Sequence, residues 1–312
     1  MNKTAVALSR HQETKGSRRA FTLAELLVVI STLGILAALV LPVLAGSKID
    51  SQLFQCQNNL KGLSRAWIMY SDANSDKLVN LSTYNTAGAV MTSSNTPWRT
   101  EIASLSVTLP AGMVAGSAAA QKYLIEMGFK QPTPTVAGPL YPYVPNVDVL
   151  HCPADGRASL TASAYGNYAG PYAWDSYSGS AYLNGDAGGF TKRSQVLHPS
   201  GRFIWAEAAA SGGENFGSWE MASYGRLTDA EGAFYSASFG DSPAAFHGTA
   251  ANFSFCDGHV EIHSWSDPTT LNYAADTSSG KEAFGSTKTA ADHLGNPDAI
   301  WCGAHYAGPQ NP

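Results

Sequence analysis

From Leu26 to Ala45 the chain runs twenty residues without a charge, and directly after it a single apolar seam begins. Ile49, Leu53, Cys56, Leu60, Leu63, Trp67 and Tyr70 recur at alternating steps of four and three. A repeat of that period is helical, and a helix with one apolar stripe must bury the stripe against something. Lys48, Asp50, Gln55, Asn58, Lys61 and Arg65 occupy its other faces. One long helix is therefore expected over residues 21–71, ending where Asp72-Ala73-Asn74-Ser75-Asp76 breaks the period.

The first part of that helix has the length of a membrane span, since a bilayer core takes about 20 apolar residues. Charge placement agrees. Residues 1–20 hold five basic side chains and one acid, a net of +4, and taking this from the chain total of −5 leaves −9 for the rest. Arg18 and Arg19 before the span place the amino end in the cytoplasm by the positive-inside rule. The acidic body argues against nucleic acid as a partner, because phosphate binding needs a basic face. The expected localisation is a single-pass inner-membrane protein, amino end cytoplasmic, with its head periplasmic or extracellular in an assembled filament.

Glu25 sits awkwardly at the head of the apolar run. A carboxylate inside a span is costly and normally has a partner. A new amino group, created by cleavage before Phe21, would serve. The stretch Ala20-Phe21-Thr22-Leu23-Ala24-Glu25-Leu26-Leu27-Val28-Val29-Ile30 resembles the cleavage and methylation signal of type IV pilins and type II secretion pseudopilins. That resemblance implies cutting between Ala20 and Phe21 by a prepilin peptidase, N-methylation of Phe21, and pairing of Glu25 with a neighbouring subunit during assembly. Gly34 and Pro42 match the family's helix-softening positions, while Ala20 stands where the family usually has Gly.

The expected fold is α+β and pilin-like: a long N-terminal stem helix, half transmembrane, packed on a mainly antiparallel β head. The expected divisions are a leader at 1–20, an assembly helix at 21–45, the stem's continuation at 46–71 and a globular head at 72–312.

Within the head, the clearest local pattern is Ala251 to Trp265, an alternating run broken by Asp257-Gly258. A two-residue type I′ turn there predicts that Cys256 faces His259, Phe255 faces Val260 and Phe253 faces Ile262. Phe253, Phe255, Val260 and Ile262 would then enter the core, with Asn252, Ser254, Cys256, His259, Glu261 and His263 opposite. His259, Glu261 and His263 are a weak metal candidate on that face, since a solvated sheet face also carries such residues. A strand is expected at Phe203-Ile204-Trp205-Ala206-Glu207, and a helix from about Val114 to Met127.

His247 followed after nine residues by Asp257-Gly258 resembles the carboxyl-terminal H-x9-DG motif of prepilin-like proteins of Planctomycetes and Verrucomicrobia. Cys56-Gln57-Asn58-Asn59-Leu60-Lys61 and Cys152-Pro153-Ala154-Asp155 match further marks of those families. The resemblance implies a structural envelope protein of a kind with no established enzymatic activity, and its partners would be the peptidase, other pilin or pseudopilin subunits and the inner membrane.

Cys56, Cys152, Cys256 and Cys302 are even in number and allow three disulfide pairings. Cys56–Cys152 is the expected one, because it would tie the seam to the head; Cys256 and Cys302 remain. No cofactor is expected. Calcium binding, known in major pseudopilins, finds no recognisable loop around Asp241, Asp257 and Asp267.

Two rival functions stand beside the filament subunit. One is a membrane-tethered module binding glycan or another envelope component through Trp98, Trp174, Trp205, Trp219, Trp265 and Trp301. The other is a tethered enzyme, which would need several of His151, His247, His259, His263 and Asp257 to converge in one cleft. No GxSxG elbow occurs, so an enzyme is not the expectation.

Overall fold

The computed structural model describes residues 21–83, 96–100, 107–131, 136–160, 174–184, 189–209, 217–228, 234–280, 290–291, 293 and 295–307, with side chains excepted at 40–48 and 222–238. It divides into two compact units, residues 1–48 and 49–312. Helix α1, Leu23–Ala73, contributes to both.

In the first unit, α1 opens on Thr22. The Thr22 hydroxyl accepts from the Glu25 amide at 3.2 Å, and the Glu25 carboxylate accepts in return from the Thr22 amide at 2.9 Å and its hydroxyl at 2.8 Å. This reciprocal pair is a capping box, which satisfies amide donors that have no partner within the helix.

The single-pass membrane reading is overturned here. Among the described residues no helix is long and apolar enough to cross a membrane. Ser31, Thr32 and Gly34 interrupt the apolar run. The half-transmembrane stem of a pilin-like α+β fold is thus corrected to a mixed α/β architecture, and the localisation drawn from the span goes with it.

In the second unit the middle of the α1 seam is buried, while Ile49 at its start is exposed and Leu53 and Tyr70 are half-buried. Cys56, Leu60, Leu63 and Trp67 are each fully inaccessible, whereas Phe54 and Met69, off the stripe, are exposed. Beyond Ala73 the backbone turns through Ser75 and Asp76, both at positive φ, which ends the helix.

The seam packs on a five-stranded sheet ordered β3-β1-β2-β6-β7. Its strands are β1 (Tyr177–Ser180), β2 (Phe203–Glu207), β3 (Ser218–Trp219), β6 (Ala250–Phe255) and β7 (Val260–Ser264). Only β1 and β3 run parallel; the other neighbours are antiparallel. Strands β4 (Met221–Thr228) and β5 (Phe234–Phe239) form a separate antiparallel pair. The opposite face of the large sheet is covered by α3 (Pro268–Ser278) and α4 (Pro297–His305). Both helices start on an Asx-Pro pair: Asp267 and Asn296 accept from the first free amides, and Pro268 and Pro297 occupy positions whose missing N–H costs nothing. Helix α2, Ala118–Lys130, is capped by Ser117; it starts later than the pattern suggested and runs through Gly128.

Two core clusters result. One joins the α1 seam to Tyr177, Ile204 and Trp205; the other joins Phe203, Ala206, Phe253 and Phe255 to Tyr273, Ala299 and Cys302. Strand β2 changes its alternation because the register shifts between Phe203 and Trp205. That bulge puts Ile204 and Trp205 together in the α1-side cluster. It thereby turns Glu207, two residues on, toward α1, where regular alternation from Phe203 would have pointed it away.

The hairpin is built differently from expectation. Ser254 pairs with Val260, Phe253 with Glu261 and Asn252 with Ile262, one residue out of the predicted register. The loop has three residues, Cys256-Asp257-Gly258. Gly258 N–H bonds Phe255 O at 2.8 Å, and Gly258 sits at φ +94°. This is a type I turn closed by a left-handed glycine bulge, the next commonest hairpin after the two-residue turn. A one-residue slip exchanges the faces. Phe253 and Phe255 therefore share their face with His259 and His263, not with Val260 and Ile262. The Phe255 and His259 rings stack at 4.3 Å.

Candidate functional site

The converging side chains come from four places in the chain. Cys56 lies on the buried seam of α1, and Cys152 follows the one-turn helix Val147–Leu150. Glu207 ends β2, and His247 stands in the loop before β6. One ligand atom from each lies within 4.8 Å of all the others. Cys56, Cys152 and Glu207 are fully buried, and the His247 side chain is 2 % exposed.

The Cys56 thiol donates to Glu207 Oε1 in a short contact. His247 Nε2 lies 3.1 Å from the same oxygen and 3.3 Å from Cys152 Sγ. Around this set, Tyr177 Oη is 2.9 Å from Cys56 Sγ. The Asn252 amide donates to Glu207 Oε2 at 2.7 Å, and its side-chain amide reaches Oε1 at 3.3 Å. The Cys152 backbone is held by its own N–H to Ser176 Oγ at 3.0 Å. Ser176 in turn donates to Asp155 at 2.7 Å. Asp155 also takes the Arg157 guanidinium at 2.8–3.0 Å, so the Cys-Pro-x-Asp stretch is a local clasp.

The electrostatics follow from burial. Burial opposes a charge on His247, but hydrogen bonds to Cys152 and Glu207 and the Glu207 charge outweigh it and lift the imidazole to about 10. Burial, followed by the contacts to Cys152 and Glu207, pushes the Cys56 thiol well up. Tyr177 is raised well up as well, first by burial and then by the adjoining Cys56, Cys152 and Glu207. Two thiols, an imidazole and a carboxylate are a donor set that zinc takes.

Of the residues singled out from the sequence, Cys56, Cys152 and His247 meet here. Cys56 and Cys152 are neighbours as free thiols, not as the expected bridge. Cys256 and Cys302 are free and belong to different core clusters. Asp257 and Gly258 make the hairpin turn, where Asp257 accepts from His259 N at 3.1 Å. His259, Glu261 and His263 do not close on one another. His259 pairs with Asp257 at 2.6 Å and approaches Glu261 only to 4.0 Å. His263 turns to Asp298 at 3.3 Å and stacks on Trp301 at 3.9 Å.

The three aspartates considered for calcium are each engaged locally. Asp241 accepts from Glu220 N, Asp257 from His259 N, and Asp267 caps α3. His151 is stacked on Trp174, apart from His259 and His263. Trp98, Trp205, Trp219 and Trp265 are buried in the core, which withdraws them from glycan stacking. Phe21 and Glu25 lie at the start of α1, and Ala20 lies outside the described residues.

Glu207 was missed by sequence reasoning. Its only signal was a place at the end of an apolar strand, and the bulge that aims it cannot be read locally. A surface cleft lined by Tyr70, Lys77, Asn80, Asn184 and Lys192 shares no residue with the cluster.

Fold and site together define a mixed α/β protein with a buried Cys-Cys-Glu-His cluster between its long helix and its sheet. No protein-family model, no curated protein and no solved structure matches the chain.

Proposed function

We propose that the protein is a prepilin-like structural subunit, processed before Phe21 and assembled with other subunits into a pseudopilus or pilus-like filament. The observation that carries this reading is the amino-terminal half of α1. Phe21, Leu23, Leu26, Leu27, Val28, Val29, Ile30, Leu33, Ile35, Leu36 and Leu39 are all exposed, from 44 to 78 %. So long an apolar surface is covered by another molecule in any stable state. Equivalent helices of neighbouring subunits supply a cover of matching shape and length. The capping box adds a second task for Glu25, since the residue proposed to meet a neighbour's terminal ammonium also closes the helix start.

The test separates the two tasks. Glu25→Gln removes the charge but leaves an acceptor for the Thr22 amide, and Thr22→Val removes the cap but leaves the charge. Mass spectrometry of the mature protein is expected to show an N-methylated Phe21 terminus in both variants. Filament yield is expected to collapse in Glu25→Gln and to persist in Thr22→Val. Normal yield from Glu25→Gln would sink the ammonium pairing, and a mature terminus elsewhere would sink the processing.

A further inference from the structure

The cluster of Cys56, Cys152, Glu207 and His247 joins three sequence motifs that lie far apart in the chain, and nothing in the proposed assembly uses it. We propose that it is a structural zinc site that fastens the long helix to the sheet. The proposal is independent of filament formation, since every ligand belongs to the second unit.

Geometry supports it first. A tetrahedral zinc with bonds of about 2.0–2.3 Å sets its ligand atoms about 3.3–3.8 Å apart. The Cys152–His247 and His247–Glu207 separations are 3.3 and 3.1 Å, and no separation in the set exceeds 4.8 Å. Side-chain shifts of about 1 Å therefore complete the tetrahedron.

Chemistry selects the ion. Calcium and magnesium take oxygen ligands and would not choose two sulfurs and a nitrogen. Thiolate with imidazole suits zinc. All four positions are filled by protein groups that are buried, which is the closed arrangement of a structural site, with no position left for water or substrate.

The surroundings fit an anionic centre. Zinc with two thiolates, one carboxylate and a neutral imidazole carries a net charge of −1. The Asn252 backbone and side-chain amides both donate to Glu207, and the Tyr177 hydroxyl points its oxygen at Cys56 Sγ. Donors of this kind orient metal ligands and hold their charge. On binding, any proton that a ligand thiol or the ligating imidazole nitrogen carries passes to solvent. Nothing is oxidised or reduced.

The measurement is made on the full chain, purified reduced and without chelator. Elemental analysis is expected to find about one zinc per chain. Replacement by cobalt is expected to produce thiolate charge-transfer absorption together with the intense visible bands of a tetrahedral ion. Cys152→Ser should lose about half of the charge-transfer intensity, because one of two thiolates is gone. Tyr177→Phe replaces no ligand but removes the hydroxyl 2.9 Å from Cys56 Sγ, and should keep the zinc while weakening affinity about 10- to 100-fold. If Cys152→Ser fails to fold, the wild-type metal content and cobalt spectrum still decide. Reduced wild-type chain that takes up neither zinc nor cobalt overturns the proposal. So does a quantitative Cys56–Cys152 disulfide in chain isolated without added oxidant.

Discussion

Arg99 and Asp175 form an ion pair at 2.6 Å in which both side chains are completely inaccessible, and replacing Arg99 by Met tests what such a pair does here. Burial pushes the Asp175 carboxyl up from 3.8 to about 6, against the opposing pull of Arg99 and then Arg157. Desolvation therefore outweighs attraction even with both guanidinium groups in place. The sign follows. The folded state holds this proton more tightly than the unfolded chain does. The stability contributed by the group is fully present below the unfolded value near 3.8 and is lost as pH rises through about 6. The rise corresponds to about 3 kcal/mol between the two limits.

Arg99→Met removes the larger of the two attractions. At about pH 7 it leaves a buried carboxylate facing only Arg157, and loss of one partner of a buried pair costs about 3–5 kcal/mol. Near pH 5 Asp175 is mostly protonated already, so the same substitution removes a charge with little left to balance, and the penalty should shrink to about 1 kcal/mol or less. Urea unfolding of wild type and variant, followed by tryptophan fluorescence at both pH values, measures the difference. Groups titrating elsewhere cancel between the two proteins. A penalty equal at both pH values, or below about 1 kcal/mol at pH 7, would refute the assignment of this pair as a buried, desolvation-dominated one.

Two further outcomes are expected from the same assay. Leu63→Ala, at a fully buried seam position, should cost about 2–5 kcal/mol, while Phe54→Ala, exposed on the same helix, should stay within about 0.5 kcal/mol; equal effects would mean that the seam is not packed. Gly258→Ala should cost about 1–2 kcal/mol because the turn holds φ at +94° and the new methyl would lie 3.4 Å from Ile68 Cδ1. Gly62→Ala, inside α1 with nothing within 4 Å, should instead stabilise by about 0.5–1 kcal/mol.

Several features were legible before any coordinates. The period of the α1 seam pointed to Ile49, Leu53, Cys56, Leu60, Leu63, Trp67 and Tyr70; the middle four are buried, Leu53 and Tyr70 are half-buried, and Ile49 is exposed. The span of β2 coincides with the apolar run Phe203–Glu207. Thr22-x-x-Glu25 was equally legible as a capping box, because its two partners sit three residues apart, yet the more elaborate reading of Glu25 obscured it. The hairpin was half legible. Asp257-Gly258 marks a turn, but whether the loop holds two residues or three depends on which register lets Phe253 and Phe255 enter the core beside α3 and α4.

The membrane-spanning stem illustrates a different failure. Residues 26–45 carry no charge, but Ser31, Thr32 and Gly34 dilute the run, and among the described residues no helix is long and apolar enough to cross a membrane.

By itself, the sequence determined what is periodic or adjacent: the helix and its stripe, and the place of the turn. These depend on interactions within a few residues, which spacing encodes directly. Only the tertiary structure decided that Cys56, Cys152 and His247 meet, and that Glu207 joins them. Their contacts close loops of 40 to 151 residues, and the last depends on a bulge in β2 that reverses the direction of one side chain. Such contacts are set by how the α1 seam seats on the sheet, a packing outcome of the whole unit that no local pattern records.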